Sequence, residues 1–401
     1  MMQQFKAEHP ESVKHDLVQP FLSGIASHHA GLLPAWKGLV EQGFQAGLIK
    51  LVFATHTLAM GVNMPCKTTV ISELEMKRGR VRGVLTYNDI MQLAGRAGRR
   101  GFDKFGSCIL FNSPSVSLSR VMRNLKAGPM PVTSSFKADY GMVLNLIDSM
   151  GADAAKELLK SSFLNYQCKL SAATNNNDAP QRLSESDFLR SNWIADEGPS
   201  SEMDEYEKVV EEFDNRVVVL GSYDALDIGS MSLLPLGRIA AKIHAENQLW
   251  IAIAATSPDI FLLNATELAG FVCALITSES LRLRSSTECS CVPSEKILRC
   301  LESLEPAWEK LIELQLTNGI SQTPFMDARL AGLAEQWASG ASWPSIKDSV
   351  AGLDEGDIVK VLHRTQDLLR QFGGLSLLPS EVAERAKAAS NLIERSPLTD
   401  V

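Results

Sequence analysis

The chain has 401 residues, 45% hydrophobic and 21% charged, with a formal net charge of −8. That is enough for about two to four domains with a full core, and the acidic balance excludes a global pull toward nucleic acid, leaving only local basic surfaces for such binding. Seven cysteines without a Cys-x-x-Cys fit a reducing compartment and supply no metal-ligand spacing.

The N-terminus, Met1-Met-Gln-Gln-Phe-Lys, has no signal-peptide core and is not a convincing transit peptide. Residues 1 to 30 are mixed polar and end in His28-His29. Pro34 suits the first turn of a helix over Ala35 to Gln45, with Gly47 as its stop. Leu48 to Ala54 and Lys67 to Ser72 are short apolar runs that predict strands, and Ser107 to Phe111 predicts a third. Thr86 and Asp89 form a capping box ahead of a helix from Tyr87, whose apolar side is Ile90, Met91, Leu93 and Ala94. Strands alternating with helices predict parallel βα units in an open α/β sheet, with ligands at the carboxyl ends of the strands.

The helix from Tyr87 runs into Gln92-Leu-Ala-Gly-Arg-Ala-Gly-Arg-Arg-Gly101. Arginines among glycines suit a phosphate chain, because glycine permits close backbone approach and a guanidinium forks onto two phosphate oxygens. Arg96 and Arg99 stand three apart and can converge on one anion; the alternative is a solvated basic turn. Between the second strand and this helix, Lys77, Arg78, Arg80 and Arg82 cluster around Gly79 and Gly83. This reads as an exposed hairpin, either a solvated loop or one that contacts phosphates.

Leu118 to Leu125 and Tyr140 to Met150 have helical spacing, broken by Gly128-Pro-Met-Pro131. Ser171 to about Met231 shifts to Asn175-Asn-Asn-Asp178, Gly198-Pro-Ser-Ser201 and an acidic run, which reads as a partly disordered linker or insertion with one helix over Asp204 to Val218. From Leu233 the chain is helical, with broad apolar faces in Leu234 to His244 and Glu267 to Ile276. The apolar window Leu249 to Leu263 holds Pro258 and Asp259 and is too short to span a bilayer. Near the end, a helix over Glu355 to Phe372 places Ile358, Val361, Leu362, Leu368 and Leu369 on one side and Lys360, His363, Arg364 and Asp367 on the other.

Three blocks in order, His28-His-Ala-Gly-Leu-Leu-Pro34, Phe53-Ala-Thr-His-Thr-Leu-Ala-Met-Gly-Val-Asn-Met-Pro65 and Gln92 to Gly101, resemble motifs IVa, V and VI of superfamily 2 helicases. In detail they resemble the DExH-box RNA helicases of the superkiller and exosome-cofactor type, most of all the plastid and cyanobacterial branch. Ser135 to Ile147 and Ser161 to Gln167 resemble the family's winged-helix segment, and Leu333 to Leu362 its C-terminal helical domain. The resemblance implies a second RecA-like domain with a parallel sheet over 1–115, a winged-helix-like domain over 116–170, the linker over 171–230, and an all-α C-terminal bundle over 231–401 with its ratchet helix near 355–372.

By motif, the resemblance implies that Arg96 and Arg99 stabilise charge on the γ-phosphate of ATP and that Gln92 senses that phosphate or its attacking water. Gly61 and Asn63 would lie near the nucleotide. Thr55, Thr57, His29, Gly31, Arg78, Arg80, Arg82, Lys360 and Arg364 would contact RNA. For Thr55 and Thr57 the alternative is an ordinary post-strand turn, for His28 a packing or capping role, and for Lys360 and Arg364 a solvated helix face. His56 stands where many members have Glu. The 401 residues contain neither a Gly-x-x-x-x-Gly-Lys-Ser/Thr segment nor an Asp-Glu-x-His, so the sequence reads as the C-terminal part of a helicase whose first RecA-like domain, with the Mg²⁺ ligands, lies elsewhere. The alternative is a non-catalytic RNA-binding or complex-assembly module. Implied partners are RNA, that first domain in cis and an RNA-processing complex, with no membrane. A plastid follows only from the resemblance, with cytoplasm and nucleus as the other compartments.

Overall fold

The computed structural model describes residues 1–59, 64–78, 81–111, 116–167, 205–276 and 287–400. Helices dominate and the sheets are small. In the N-terminal third, α1 (Met2–Glu8) and α2 (His15–Leu22) precede strand β1 (Ile25–His28), helix α3 (Pro34–Gln45) and strand β2 (Leu51–Ala54). Strand β3 (Thr68–Ile71), the hairpin β4 (Glu75–Arg78) and β5 (Val81–Val84), helix α4 (Tyr87–Ala94) and strand β6 (Ser107–Leu110) follow. Pro34 opens α3 as its position predicts, and α4 starts on a complete capping box: Thr86 N–H donates to Asp89 Oδ2 at 2.7 Å, and Asp89 N–H donates to Thr86 Oγ1 at 3.3 Å.

The strands pair as β1 with β2 and as β3 with β6, both parallel. The expected open parallel sheet is therefore present as two separate two-stranded pieces, with no ladder joining them among the described residues. Strands of a parallel sheet covered by helices bury both faces. Here Phe53, Val70 and Ile109 remain 63%, 53% and 48% exposed, so each pair is covered on one side only. On the covered side, Ala26 of β1 packs with Phe5, Phe21, Trp36, Leu39, Val40 and Ile49. Ile71 of β3 packs with Leu74, Val84, Leu85, Ile90 and Val121.

Val121 belongs to α5 (Leu118–Ala127), which docks beside α4. An extended segment then leads to α6 (Tyr140–Met150) and α7 (Ala152–Lys160). The helix expected over Asp204 to Val218 is α8 (Glu205–Ser222), with Phe213 and Leu220 fully buried. Next come α9 (Pro235–Ala240), α10 (Gln248–Ala255), α11 (Ala265–Ile276), α12 (Glu295–Thr317), α13 (Ala331–Ala338), α14 (Trp343–Asp348), α15 (Glu355–Gly374) and α16 (Ser380–Ile393). Helix α9 is shorter than the apolar run Leu234 to His244 predicts. It lies tight on the preceding turn, where a Cβ at Gly237 would sit 2.0 Å from Ala225 O.

Helices α6 to α16 share one core containing Tyr140, Phe213, Trp250, Phe271, Trp337 and Phe372. Leu33, from the loop before α3, is part of it and fully buried. The N-terminal third is thus anchored in the helical core through the His28 to Pro34 segment. No helix among the described residues is long and apolar enough to cross a membrane.

Candidate nucleic-acid and phosphate interface

Strands β1 and β2 run parallel with His28 opposite Ala54, so both chains leave the pair at the same edge. The segment after β2 starts with Thr55, whose N–H donates to His28 O at 3.4 Å. The segment after β1 is a tight turn: Gly31 N–H donates to His29 Nδ1 at 3.2 Å, and Leu32 N–H donates to His29 O at 3.2 Å. His28 points inward, 6% exposed, with Nε2 2.9 Å from Glu41 Oε1. It is a packing histidine, while His29 and Gly31 form the turn beside Thr55. Thr57 lies in the 3₁₀ turn His56–Ala59, and its side chain lies outside the described residues.

Helix α15 comes up against this edge. Gly356 N–H donates to Gly31 O at 3.0 Å, and a Cβ at Gly31 would meet the Asp354 side chain at 2.3 Å. The approach requires glycine on both sides. Ile358, Val361, Leu362, Leu368 and Leu369 are buried, and Lys360, Arg364 and Asp367 are exposed, which is the division that the helical period predicts. The exposed stripe leaves the glycine contact with Lys360, 2.9 Å from Asp357 Oδ1, and continues to Arg364, 4.0 Å from Glu246. Lys37, one turn into α3, faces the same place: burial first and the Lys360 charge second lower the pKa of its ammonium. The His29–Gly31 turn is thus brought beside Thr55 on one side and against the first turn of α15, one turn before Lys360, on the other.

The Arg-rich turn is built separately. Cys66 N–H donates to Arg96 O at 2.9 Å, and Gly98 N–H donates to Cys66 O at 2.7 Å, which ties the end of the Phe53 to Pro65 block to the Gln92 to Gly101 block. Gly98 and Gly101 hold φ of +94° and +83°, where a side chain is strained. A Cβ at Gly106 would sit 2.4 Å from Ala97. The close packing here is of the turn on itself, Gly106 against Ala97 and Gly98, while Gly101 has open space at its Cβ position. Gln92 is exposed on α4 and Arg96 is half-buried in the turn after it.

Arg99 forks onto Asp103, Nε donating to Oδ2 at 2.8 Å and Nη2 to Oδ1 at 3.0 Å, and Arg99 N–H also donates to Oδ2 at 3.0 Å. The guanidinium and this backbone bond hold the Asp103 carboxyl down at about 2. The pairing is an i, i+4 relation that sequence reading missed although Asp103 lay in plain view. The Asp103 carboxylate fills the guanidinium fork as a bidentate anion.

The basic hairpin is present. Lys77 faces Arg82 across β4 and β5, both exposed, on a base of buried Leu74, Val84 and Leu85. Arg78 is in β4 with its side chain outside the described residues; Arg80, Gly61 and Asn63 lie outside them altogether. Among the described residues no group of three or more His, Cys, Asp or Glu could hold a metal ion.

Residues 230–400, the helical part, match the DSHCT (NUC185) domain. The chain is a relative of the superkiller-type DExH-box RNA helicases, matching part of their length. It is 42% identical over 184 residues to the chloroplastic DExH-box ATP-dependent RNA helicase DExH15 of Arabidopsis thaliana, covering 41% of this chain and 16% of that protein. It is 44% identical over 146 residues to the probable helicase HelY of Mycobacterium tuberculosis, covering 36% and 16%. It is 42% identical over 142 residues to the antiviral helicase SKI2 of Saccharomyces cerevisiae, covering 35% and 11%. The matched stretches are thus about a sixth or less of these curated relatives.

Proposed function

We propose that this chain is part of an ATP-dependent RNA helicase, supplying half of the RNA path and the arginine side of the ATP site. The observation that carries the reading is the seam at which the turn after β1, with Thr55 beside it, meets the first turn of α15, one turn before Lys360. RNA phosphates would lie along His29, Gly31 and Thr55 and then over Lys360 and Arg364, with the Lys77–Arg82 hairpin as a flanking contact and Thr57, Arg78 and Arg80 as further candidates. Contacts of this kind position a strand without reading its bases.

In the same reading, the N-terminal third is a RecA-like lobe and residues 116–170 a winged-helix-like unit. The guanidinium donors of Arg96 and Arg99 fit a phosphate chain. ATP supplies the free energy, and Arg96 and Arg99 would hold the negative charge that develops on its terminal phosphate. Arg99 would exchange Asp103 for phosphate oxygens, and Gln92, exposed one turn before Arg96, would orient the attacking water. Gly61 and Asn63 remain nucleotide-side candidates. Mg²⁺ would be held by a P-loop domain joined to this chain. An RNA-processing complex and a plastid are consistent with the SKI2 and DExH15 relatives.

The test is single-stranded RNA binding by the 401-residue chain across a salt series. Lys360→Ala with Arg364→Ala is expected to weaken binding and to flatten the slope of log K against log salt by about 1.4, near 0.7 per lost phosphate contact. An unchanged slope returns the stripe to a solvated helix face.

A further inference from the structure

Glu355 stands where the N-terminal segment, the His29 turn and the helical core meet. It is 6% exposed, in the first turn of α15. Two ammonium groups reach it: Lys14 Nζ, from just before α2, at 3.0 Å and Lys347 Nζ, from α14, at 3.1 Å. A carboxylate this buried is tolerated only when paired, so both lysines are drawn to it. The next residue, Gly356, makes the backbone bond to Gly31 O, and a Cβ there would sit 2.1 Å from Ala30 O. Two residues after Gly31, Leu33 enters the helical core. At the other end of the same segment, Ser12 Oγ donates to Asp400 Oδ2 at 3.2 Å, and His9 Nδ1 lies 3.2 Å from that oxygen.

Lys360 stands one turn after Gly356 in α15 and Lys37 in the first turn of α3, close enough for the Lys360 charge to lower the Lys37 pKa. Like charges repel and do not assemble unaided. The shared core and the Gly31–Gly356 bond hold the two elements together against this repulsion, and the paired carboxylate at the seam adds to that hold.

We propose that Glu355 is a positioning residue: by clasping Lys14 and Lys347 it fixes α15 on the His29 turn, so that Lys37 and Lys360 meet the RNA backbone as one unit. This rests on the RNA-binding reading above. The clasp and simple electrostatics act in opposite directions. Neutralising Glu355 removes negative charge near a polyanion site, which by Coulomb attraction alone strengthens RNA binding. Loss of positioning weakens it.

The test is fluorescence-anisotropy binding of labelled oligouridylate by the full 401-residue chain at fixed salt. Glu355→Gln is expected to weaken binding by about fivefold, the low end of coupling between sites, with Lys14→Gln acting in the same direction. In the Glu355→Gln background, Lys360→Ala is expected to add little to the loss, because the two act through one arrangement. If Glu355→Gln does not fold, Glu355→Asp carries the comparison, since it keeps the charge but shortens its reach to Lys14 and Lys347. Glu355→Gln, or Glu355→Asp in its stead, binding as tightly as the native chain, or an undiminished effect of Lys360→Ala in that background, overturns the positioning role and leaves RNA binding standing. A native chain that fails to bind oligouridylate overturns the RNA reading and the clasp's role with it.

Discussion

Arg96→Ala and Arg99→Ala, each made in a longer chain that also carries a P-loop domain, are expected to lower RNA-stimulated ATP turnover by about a thousandfold. RNA affinity should stay within about twofold, because an interaction made only in the transition state affects turnover and not ground-state binding. Arg99 already forms a bidentate fork on Asp103, so its side chain is preorganised for a planar anion. Asp103 titrates at about 2, against an ordinary value of 3.8. Its folded pKa is depressed, so the bridge is fully present above 3.8 and is lost only as pH falls toward about 2; at neutral pH Arg99 always has a competitor that phosphate must displace. The 401-residue chain by itself, with no Gly-Lys pair, is expected to hydrolyse no ATP. Turnover by the Arg99→Ala protein within tenfold of native would remove Arg99 from the proposed phosphate site.

The largest stability effect is expected at Trp337. It is fully buried in α13, and its Nε1 donates to Ile393 O at 3.0 Å. Its ring packs edge-on against Trp343 at 5.6 Å, and the Arg395 guanidinium lies 3.3 Å over it. Arg395 also donates to Trp337 O at 2.7 Å and Ala341 O at 2.6 Å. Trp337→Ala opens a cavity worth about 3–5 kcal/mol and uncovers a half-buried cation. Thermal unfolding should shift down by about 4–6 °C for a protein of this size. A shift under about 2 °C would mean that the helical core does not close around this ring.

Local features were the legible ones. The capping box at Thr86 and Asp89, Pro34 at the head of α3 and the buried face of α15 all follow from short-range rules, and each has its expected geometry. The turn around Arg96 was legible as glycine-rich, but its tie to Cys66, thirty residues away, was not. The seam was not legible. Gly31 and Gly356 meet across more than three hundred residues, and neither local pattern names the other. A glycine in the first turn of an otherwise strong helix was the available signal, since Gly356 gives up helix stability that only close packing returns. The three strands at Leu51–Ala54, Thr68–Ile71 and Ser107–Leu110 were legible and β1 was not, and period and propensity do not say how strands join. The exposed Phe53, Val70 and Ile109 explain why two pairs stand where one sheet was expected.

Backbone hydrogen exchange with and without oligouridylate tests the central claim most directly. If the β1 and β2 turns and α15 form one RNA surface, saturating RNA should slow exchange together in residues 29–33, 55–59 and 360–371, three segments far apart in sequence. Protection confined to the hairpin, or protection of residues 29–33 and 55–59 without α15, would contradict it.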